Sequence, residues 1–415
     1  MKVLSLEIQN FRGIESMNLE FQDQINILVG ANGSGKSSIL DCLAIMLSRL
    51  IGRIQSSKGT GRFFIEQDIS RGAIETQNSV KTIVLDDEIS WKVTKTKKGS
   101  RSQKITKLTH LKKLADSIHD QLEQDEKTNL PLAIYYPVNR AVLDIPLRIR
   151  RTHSFDPLSA YDQALSGKER NFRVFFEWFR NQEDLENERR TNDSTYRDKQ
   201  LTAVRTALEA FLPGFSELRV ERSPLRMTIK KENKKLIVNQ LSHGEKGTLA
   251  IIGDLARRLA VANPGLEDPL CGAAVILIDE IDLHLHPEWQ RMIIPKLCET
   301  FPQCQFIVST HSPQILSHVR SESIYLLHSN ESGISYMKPD ESFGKNSDRI
   351  LEDLMDVPAR PEPILQRLNQ LAVKIDEKHL TSAKAMIQDL RQDIGNDPEL
   401  LKAEVLIRRK EILNK

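Results

Sequence analysis

The segment Val29-Gly30-Ala31-Asn32-Gly33-Ser34-Gly35-Lys36-Ser37-Ser38 constrains this chain more than any other. The apolar run Ile25-Asn26-Ile27-Leu28-Val29 precedes it and Ile39-Leu40-Asp41-Cys42-Leu43-Ala44-Ile45-Met46-Leu47 follows it. The order is strand, glycine-rich loop, helix, and the loop fits G-x-x-x-x-G-K-[ST] at every fixed position. Glycines at Gly30, Gly33 and Gly35 let successive backbone N–H groups turn inward around a phosphate, at the positive end of the helix dipole. Asn32, Ser34 and Ser38 belong to the same cradle. Lys36 can reach β- and γ-phosphates, and the Ser37 hydroxyl can ligate Mg²⁺. The flanking strand and helix distinguish this loop from an incidental glycine-rich turn. The chain is expected to be an α/β protein.

A length of 415 residues allows a large core and two or three domains. Lys and Arg number 59 against 57 Asp and Glu, so any attraction for a polyanion must be local. Local it is: Lys92 to Lys113 holds nine Lys or Arg residues and no carboxylate. That stretch reads either as a phosphate-backbone surface or as a solvated hairpin and helix start. Cys42, Cys271, Cys298 and Cys304 show no C-x-x-C pair and no histidines at zinc spacing, so they are expected to be reduced core thiols. Glu7 interrupts any signal-peptide core, and no apolar run is long enough to cross a bilayer. A cytoplasmic protein without a membrane partner is expected.

Alternation over residues 3–8 and again up to Phe21 predicts two strands joined by the turn Asn10-Phe11-Arg12-Gly13-Ile14. Arg12 fits two readings there, a nucleotide contact or a solvated turn arginine. Gly52 to Gly61 reads as a loop, and strands follow over 73–95. Leu111, Leu114, Ile118 and Leu122 share one helical face. The strand Leu132-Ala133-Ile134-Tyr135-Tyr136 ends at Pro137, with Asn139 and Arg140 beyond. Residues 141–212 read as a helical insertion. It opens on Arg148, Arg150 and Arg151, and carries the aromatic run Phe172-Arg173-Val174-Phe175-Phe176-Glu177-Trp178-Phe179. That run suits a core or a partner interface better than a base-stacking platform. A polar stretch from Glu183 to Lys199 and a further helix complete the insertion.

Three short strands over 217–238 lead into Leu241-Ser242-His243-Gly244-Glu245-Lys246-Gly247, where Ser242 and Glu245 have the spacing of a capping box. Ala273-Ala274-Val275-Ile276-Leu277-Ile278 is a buried strand ending in Asp279-Glu280. Alternation along a strand points these two carboxylates apart, so they can take different roles. One can hold Mg²⁺, while the other orients and deprotonates water. Gln305-Phe306-Ile307-Val308-Ser309-Thr310 is a second buried strand, ending in His311, where open α/β sheets bind ligands. His284, His286 and Glu288 are not read as a metal site, because Pro287 starts a helix and no further ligand stands near. Residues 341–415 read as a helical tail suited to assembly or partner binding.

The order of P-loop, strand-end amide, Leu-Ser-x-Gly-Glu, Asp-Glu strand and His strand resembles the head of ATP-binding-cassette (ABC) ATPases, over roughly residues 1–340. Ile8-Gln9-Asn10-Phe11-Arg12-Gly13-Ile14 and Asp279-Glu280-Ile281-Asp282-Leu283-His284-Leu285-His286-Pro287 are similar to the RecF, SMC and OLD branch. The resemblance implies ATP and Mg²⁺ as ligands. It assigns Gly30, Gly33, Gly35, Lys36, Ser37 and Arg12 to the nucleotide, and Asp279, with Asn139 at the lid position, to the metal shell. It makes Glu280 the catalytic carboxylate and His311 the γ-phosphate sensor. Ser242 and Gly244, with Glu245 behind them, would meet ATP held by a second subunit, and Asp282 to His286 would line the dimer seam. His243 departs from the usual glycine of the signature, and Asn139 from the usual glutamine.

Three further segments are similar to the compact ATPases of bacterial anti-phage systems, the PtuA-like ATPases of Septu and retron operons. They are Gly52-Arg53-Ile54 with Lys58-Gly59, Tyr135-Tyr136-Pro137-Val138-Asn139-Arg140, and Gly244-Glu245-Lys246-Gly247. That resemblance implies a homodimer or higher homo-oligomer controlling a separately encoded HNH-type nuclease, with no nuclease site in this chain. It leaves DNA as a further partner. A RecF-like repair ATPase that clamps DNA is the alternative it allows.

Overall fold

The computed structural model describes residues 1–100, 106–125, 127–138, 155–167, 172–330 and 333–413. Asn139, Arg140, Arg148, Arg150, Arg151 and positions 101–105 of the basic stretch lie outside the described residues.

The chain runs β1 (Lys2–Phe11), β2 (Ile14–Glu20), β3 (Ile25–Gly30), α1 (Lys36–Gln55), β4 (Glu75–Val84), β5 (Asp87–Thr96) and α2 (Thr109–Gln124). Next come β6 (Leu132–Tyr136), α3 (Phe172–Arg190), α4 (Lys199–Phe211), β7 (Phe215–Arg222), β8 (Leu225–Lys231), β9 (Lys234–Ile237) and α5 (His243–Ala262). Then follow β10 (Ala274–Ile278), α6 (Pro287–Thr300), β11 (Cys304–Thr310), α7 (Pro313–Leu316), β12 (Ile324–Asn330) and β13 (Gly333–Met337). The last helices are α8 (Ser347–Met355), α9 (Glu362–Asp376), α10 (Leu380–Ile394) and α11 (Pro398–Leu413). Two compact units result, residues 1–345 and 346–415.

In the first unit a six-stranded sheet has the order β13-β12-β3-β11-β10-β6. Strands β12, β3, β11, β10 and β6 are parallel, and β13 closes the edge antiparallel to β12. Every residue of β6, β10 and β11 is buried, which is why β6 and β10 read as apolar runs without alternation and β11 as an apolar centre flanked by Gln305, Ser309 and Thr310. Because the strands are parallel, their carboxyl ends share one edge, and the central three carry motifs there: the glycine loop after β3, Asp279-Glu280 after β10, His311 after β11. A mixed sheet with helices around a P-loop is the fold of an ABC-type ATPase head. An antiparallel sheet, β2-β1-β4-β5, covers α1 through Trp91, whose indole N–H donates to Met46 O at 3.1 Å.

Helix α1 runs on to Gln55, so Gly52 is helical and not the start of a loop. Helix α3 likewise continues through the polar residues to Arg190. Its Phe175, Phe176, Trp178 and Phe179 are buried, and an added Cβ on Gly253 of α5 would lie 3.0 Å from the Phe175 ring. The aromatic stripe is therefore core. Buried Glu183 and Glu186 on the same helix pair with Arg205 of α4 at 3.5 and 3.0 Å, and Glu183 meets Arg222 of β7 at 2.8 Å. Cys42 and Cys304 are core thiols as expected, but Cys271 is exposed and Cys298 only partly covered. Cys271 closes a short helical turn at the surface, where chain geometry and not apolarity decides its place.

The second unit has its own core, in which Leu368, Leu371 and Ile375 of α9 meet Ile387 and Leu390 of α10 and Leu400 and Ile407 of α11. Among the described residues no helix is long and apolar enough to cross a membrane.

Candidate nucleotide site

Gly33 and Gly35 take left-handed φ values of 84° and 95°, conformations that cost an L side chain about 1–2 kcal/mol. Gly35 caps α1, so the cradle and the helix start are one structure. Lys36 is buried and folds back on its own loop, donating to Gly30 O and Ala31 O at 2.9 Å each. Burial holds its ammonium below the usual lysine value, against the pull of Asp279, Glu280 and Asp282. The Ser34 hydroxyl is buried with no hydrogen-bond partner among the described residues. A buried cation on carbonyls and an orphaned hydroxyl are what a triphosphate would satisfy. The residues fit that ligand.

Across the sheet edge, Asp279 is 2% exposed and accepts from Ser309 Oγ at 2.5 Å. The same oxygen accepts from the Glu280 N–H at 2.7 Å, and Ile281 N donates to Ser309 O at 2.9 Å. Ser309, on the neighbouring strand, thus orients the Asp279 carboxylate and fixes the backbone of Glu280. Glu280 itself has φ 47°, a sparsely populated conformation of the kind that collects at functional sites. Ser37, exposed at the start of α1, and the single buried carboxylate of Asp279 suit Mg²⁺, which keeps several waters and takes one or two protein oxygens beside substrate phosphates.

His311 reaches the same field. Burial and the Lys36 charge hold its imidazole below the usual histidine value, although Asp282, Glu280 and Asp279 oppose them. A neutral ring has one donor and one acceptor nitrogen, and Nε2 is buried without a partner among the described residues. Asp282 braces this loop, accepting from Thr310 Oγ1 at 2.6 Å and from the His311 N–H at 3.4 Å.

Ser242 is exposed at the head of α5 and caps it, accepting from Glu245 N at 3.3 Å while Glu245 accepts from Ser242 N at 2.8 Å. Burial pushes the Glu245 carboxyl up, but Lys231 at 2.7 Å and the Ser242 backbone outweigh it and hold it below the usual value. Glu245 is committed to holding the helix start. A Cβ on Gly244 would sit 2.4 Å from His284 O, and the His243 and His284 rings stand 6.1 Å apart. Gly244→Ala is therefore expected to destabilise the head by about 1–3 kcal/mol, as overpacking does; an unchanged melting temperature would contradict this contact. His286 caps α6, its Nδ1 accepting from Glu288 N at 3.4 Å.

Arg12, at that turn, is partly covered and ion-paired. It bridges Asp41 of α1 at 2.5 Å and Asp68 at 3.0 Å, and Arg62 meets Asp41 at 2.6 Å. Asn139 lies outside the described residues. Reading the sequence missed Ser309, because a serine inside an apolar strand carries no local signal. It also missed Asp254, which sits inside α5 beside Arg257 and Arg258. There the i, i+3, i+4 spacing within an apolar helix was a signal that could have been used.

Residues 5–242 match the AAA_23 family, described as an AAA domain. The chain is 30% identical to the Retron Ec83 probable ATPase of Escherichia coli, over 97% of this chain and 85% of that one. It is 31% identical to the Retron Vc95 probable ATPase of Vibrio cholerae, over 78% of this chain and 73% of that one. The Septu protein PtuA of Bacillus thuringiensis is 22% identical over 91% and 90% of the two chains. With a P-loop, an Asp-Glu strand end and a capped signature helix on one sheet, the chain belongs to the AAA_23 family of AAA domains, an ABC-class ATPase similar to those of retron and Septu systems.

Proposed function

We propose that this chain binds and hydrolyses ATP at a site completed by a second copy of itself, and that the nucleotide state of the resulting homodimer or larger assembly controls a separately encoded nuclease in anti-phage defence. The observation that carries the reading is that parallel β3, β11 and β10 lie side by side, so that Lys36, His311 and Asp279-Glu280 follow them at one carboxyl edge of the sheet. In this reading the backbone N–H groups of Gly30 to Ser38, with Lys36, hold the triphosphate. Ser37 and Asp279 are the residues that would hold Mg²⁺, which supplies charge neutralisation between the β- and γ-phosphates. Glu280 accepts the proton of the attacking water, and His311 donates to the γ-phosphate. Arg12 steadies α1 through Asp41 and keeps further N–H donors for the nucleotide.

The exposed Ser242 and the Gly244 N–H then serve the partner's γ-phosphate, with Glu245 holding the helix start behind them, since a helix N-terminus facing solvent favours an anion. The names of the retron and Septu relatives support the defence setting. The partner effector is read as an HNH-type nuclease in the same cytoplasm, with the helices of the 346–415 unit as its candidate mount.

Ser242→Phe tests the shared site, because the ring adds bulk and removes the hydroxyl while costing about 1 kcal/mol of helix capping. The variant should still bind ATP, stay at protomer mass by light scattering and lose turnover. An ATP-dependent dimer that persists in this variant would remove the proposal. Co-purification with the product of an adjacent HNH nuclease gene, changed by ATP, checks the effector.

A further inference from the structure

A groove of about 480 Å³ opens between the second half of α1, the segment 63–67 and the outer end of β5. Arg49 lays its guanidinium over the Phe63 ring, 4.2 Å from the centroid, and donates to Thr60 O at 2.5 Å. Phe63 and Ile65 are nevertheless 59% and 54% exposed, so large apolar faces stand in water beside a fixed cation. Along β5, Ile89, Trp91 and Val93 are buried, and strand alternation carries Lys95 out on the same face where the core ends. Lys98 follows just beyond the strand. Among the described residues the side chains of Lys92, Lys95, Lys98 and Lys107 make no ion pair. The acidic residue on the wall, Glu66, accepts from the Lys98 backbone N–H at 3.2 Å. Free lysines next to a half-exposed, Arg-backed aromatic ring are the two elements of a platform for unpaired bases, one for phosphates and one for a π-face.

We propose that this groove binds single-stranded nucleic acid, with a base stacked on the Phe63 ring and flanking phosphates held by Lys95 and Lys98. A duplex would engage the lysines only, because its bases are stacked inside. An acidic peptide would likewise leave Phe63 and Ile65 in water. The platform is firmly mounted: Arg62, the residue before Phe63, holds Asp41 of α1, and buried Phe64 packs edge-on against Phe11 at 5.5 Å.

Fluorescence anisotropy of the full chain, without ATP so that the result is independent of the nucleotide site, tests this. The probes are labelled single-stranded DNA, single-stranded RNA and duplex DNA, each of about 12 nucleotides, within the usual 4–16 nucleotide site sizes. The single strands should bind more tightly than the duplex, with affinity falling as salt rises, and the two single-strand arms tell which sugar is preferred. Phe63→Ala should weaken binding about 5- to 150-fold, the equivalent of about 1–3 kcal/mol per stacked base, with the melting temperature unchanged because the ring is exposed. Lys95→Glu with Lys98→Glu should weaken binding and flatten its salt dependence. Four outcomes overturn the proposal: no saturable binding, duplex bound as tightly as single strands, unchanged affinity in Phe63→Ala, or an oligoglutamate peptide bound as tightly as the strands.

Discussion

Glu280→Gln is expected to lower ATP turnover by about 10²–10⁴-fold, the contribution of a positioned general base, while leaving ATP affinity intact. The substitution keeps the shape of the side chain and removes its ability to take a proton. The backbone that aims it is held from outside the side chain, by Ser309 Oγ at 2.7 Å on the Glu280 N–H and by the left-handed turn at φ 47°. The variant therefore retains its pocket. Binding without hydrolysis should let the ATP-bound assembly accumulate, read by light scattering as a doubled mass that persists where the native protein returns to its smaller form. Turnover at the native rate would move the catalytic base to another residue. Lost ATP affinity would show that Glu280 shapes the pocket and does not act in the chemical step.

Asp254→Ala is expected to cost about 3–5 kcal/mol of stability, the usual penalty for stranding a buried charge. Arg257 and Arg258 have side chains only 1% and 6% exposed, and both meet Asp254 at 2.8 Å. Burial holds the Arg257 guanidinium below the usual arginine value, with Asp254 opposing that shift. Arg258 also donates to Ala160 O at 2.5 Å and Asp162 O at 3.0 Å, so it cannot turn to solvent without breaking further bonds. Tyr136 adds a bond to Asp254 at 3.1 Å while its own carbonyl accepts from Asp279 N at 2.9 Å. The cluster thus joins the signature helix to the strand beside Asp279. Tyr136→Phe should cost less, about 1.5–3 kcal/mol, since a hydrogen bond to a charged group is lost but no charge is stranded. Urea unfolding of both variants checks the contrast; equal losses would show that the carboxylate is not the keystone of the cluster.

The parts of the site that could be read in advance are those written in adjacent residues. A glycine loop between strand and helix needs φ values open to glycine, and Gly33 and Gly35 adopt them. A capping box is a three-residue spacing, and Ser242 and Glu245 form it. Carboxylates ending an apolar run fall at a strand terminus because the run itself is the strand. Arg12 was open for the opposite reason: nothing next to it announces Asp41 or Asp68, which arrive from 29 and 56 residues away. The aromatic run of α3 was equally open until Gly253 of α5 proved to leave room for the Phe175 ring.

Backbone preferences and side-chain periodicity act over a few neighbouring residues, and they suffice for the glycine cradle, the helix start at Ser242, the apolar strands and the acidic and histidine residues that end them. That β3, β11 and β10 lie side by side, so that Lys36, His311 and Asp279 share one edge, is a matter of long-range packing. Packing alone joined Ser309 to the Asp279 carboxylate and the Glu280 backbone, clamped Arg12 to α1, and buried Asp254 with two arginines. Those choices depend on which surfaces exclude water from one another across hundreds of residues, and no short-range pattern carries that information.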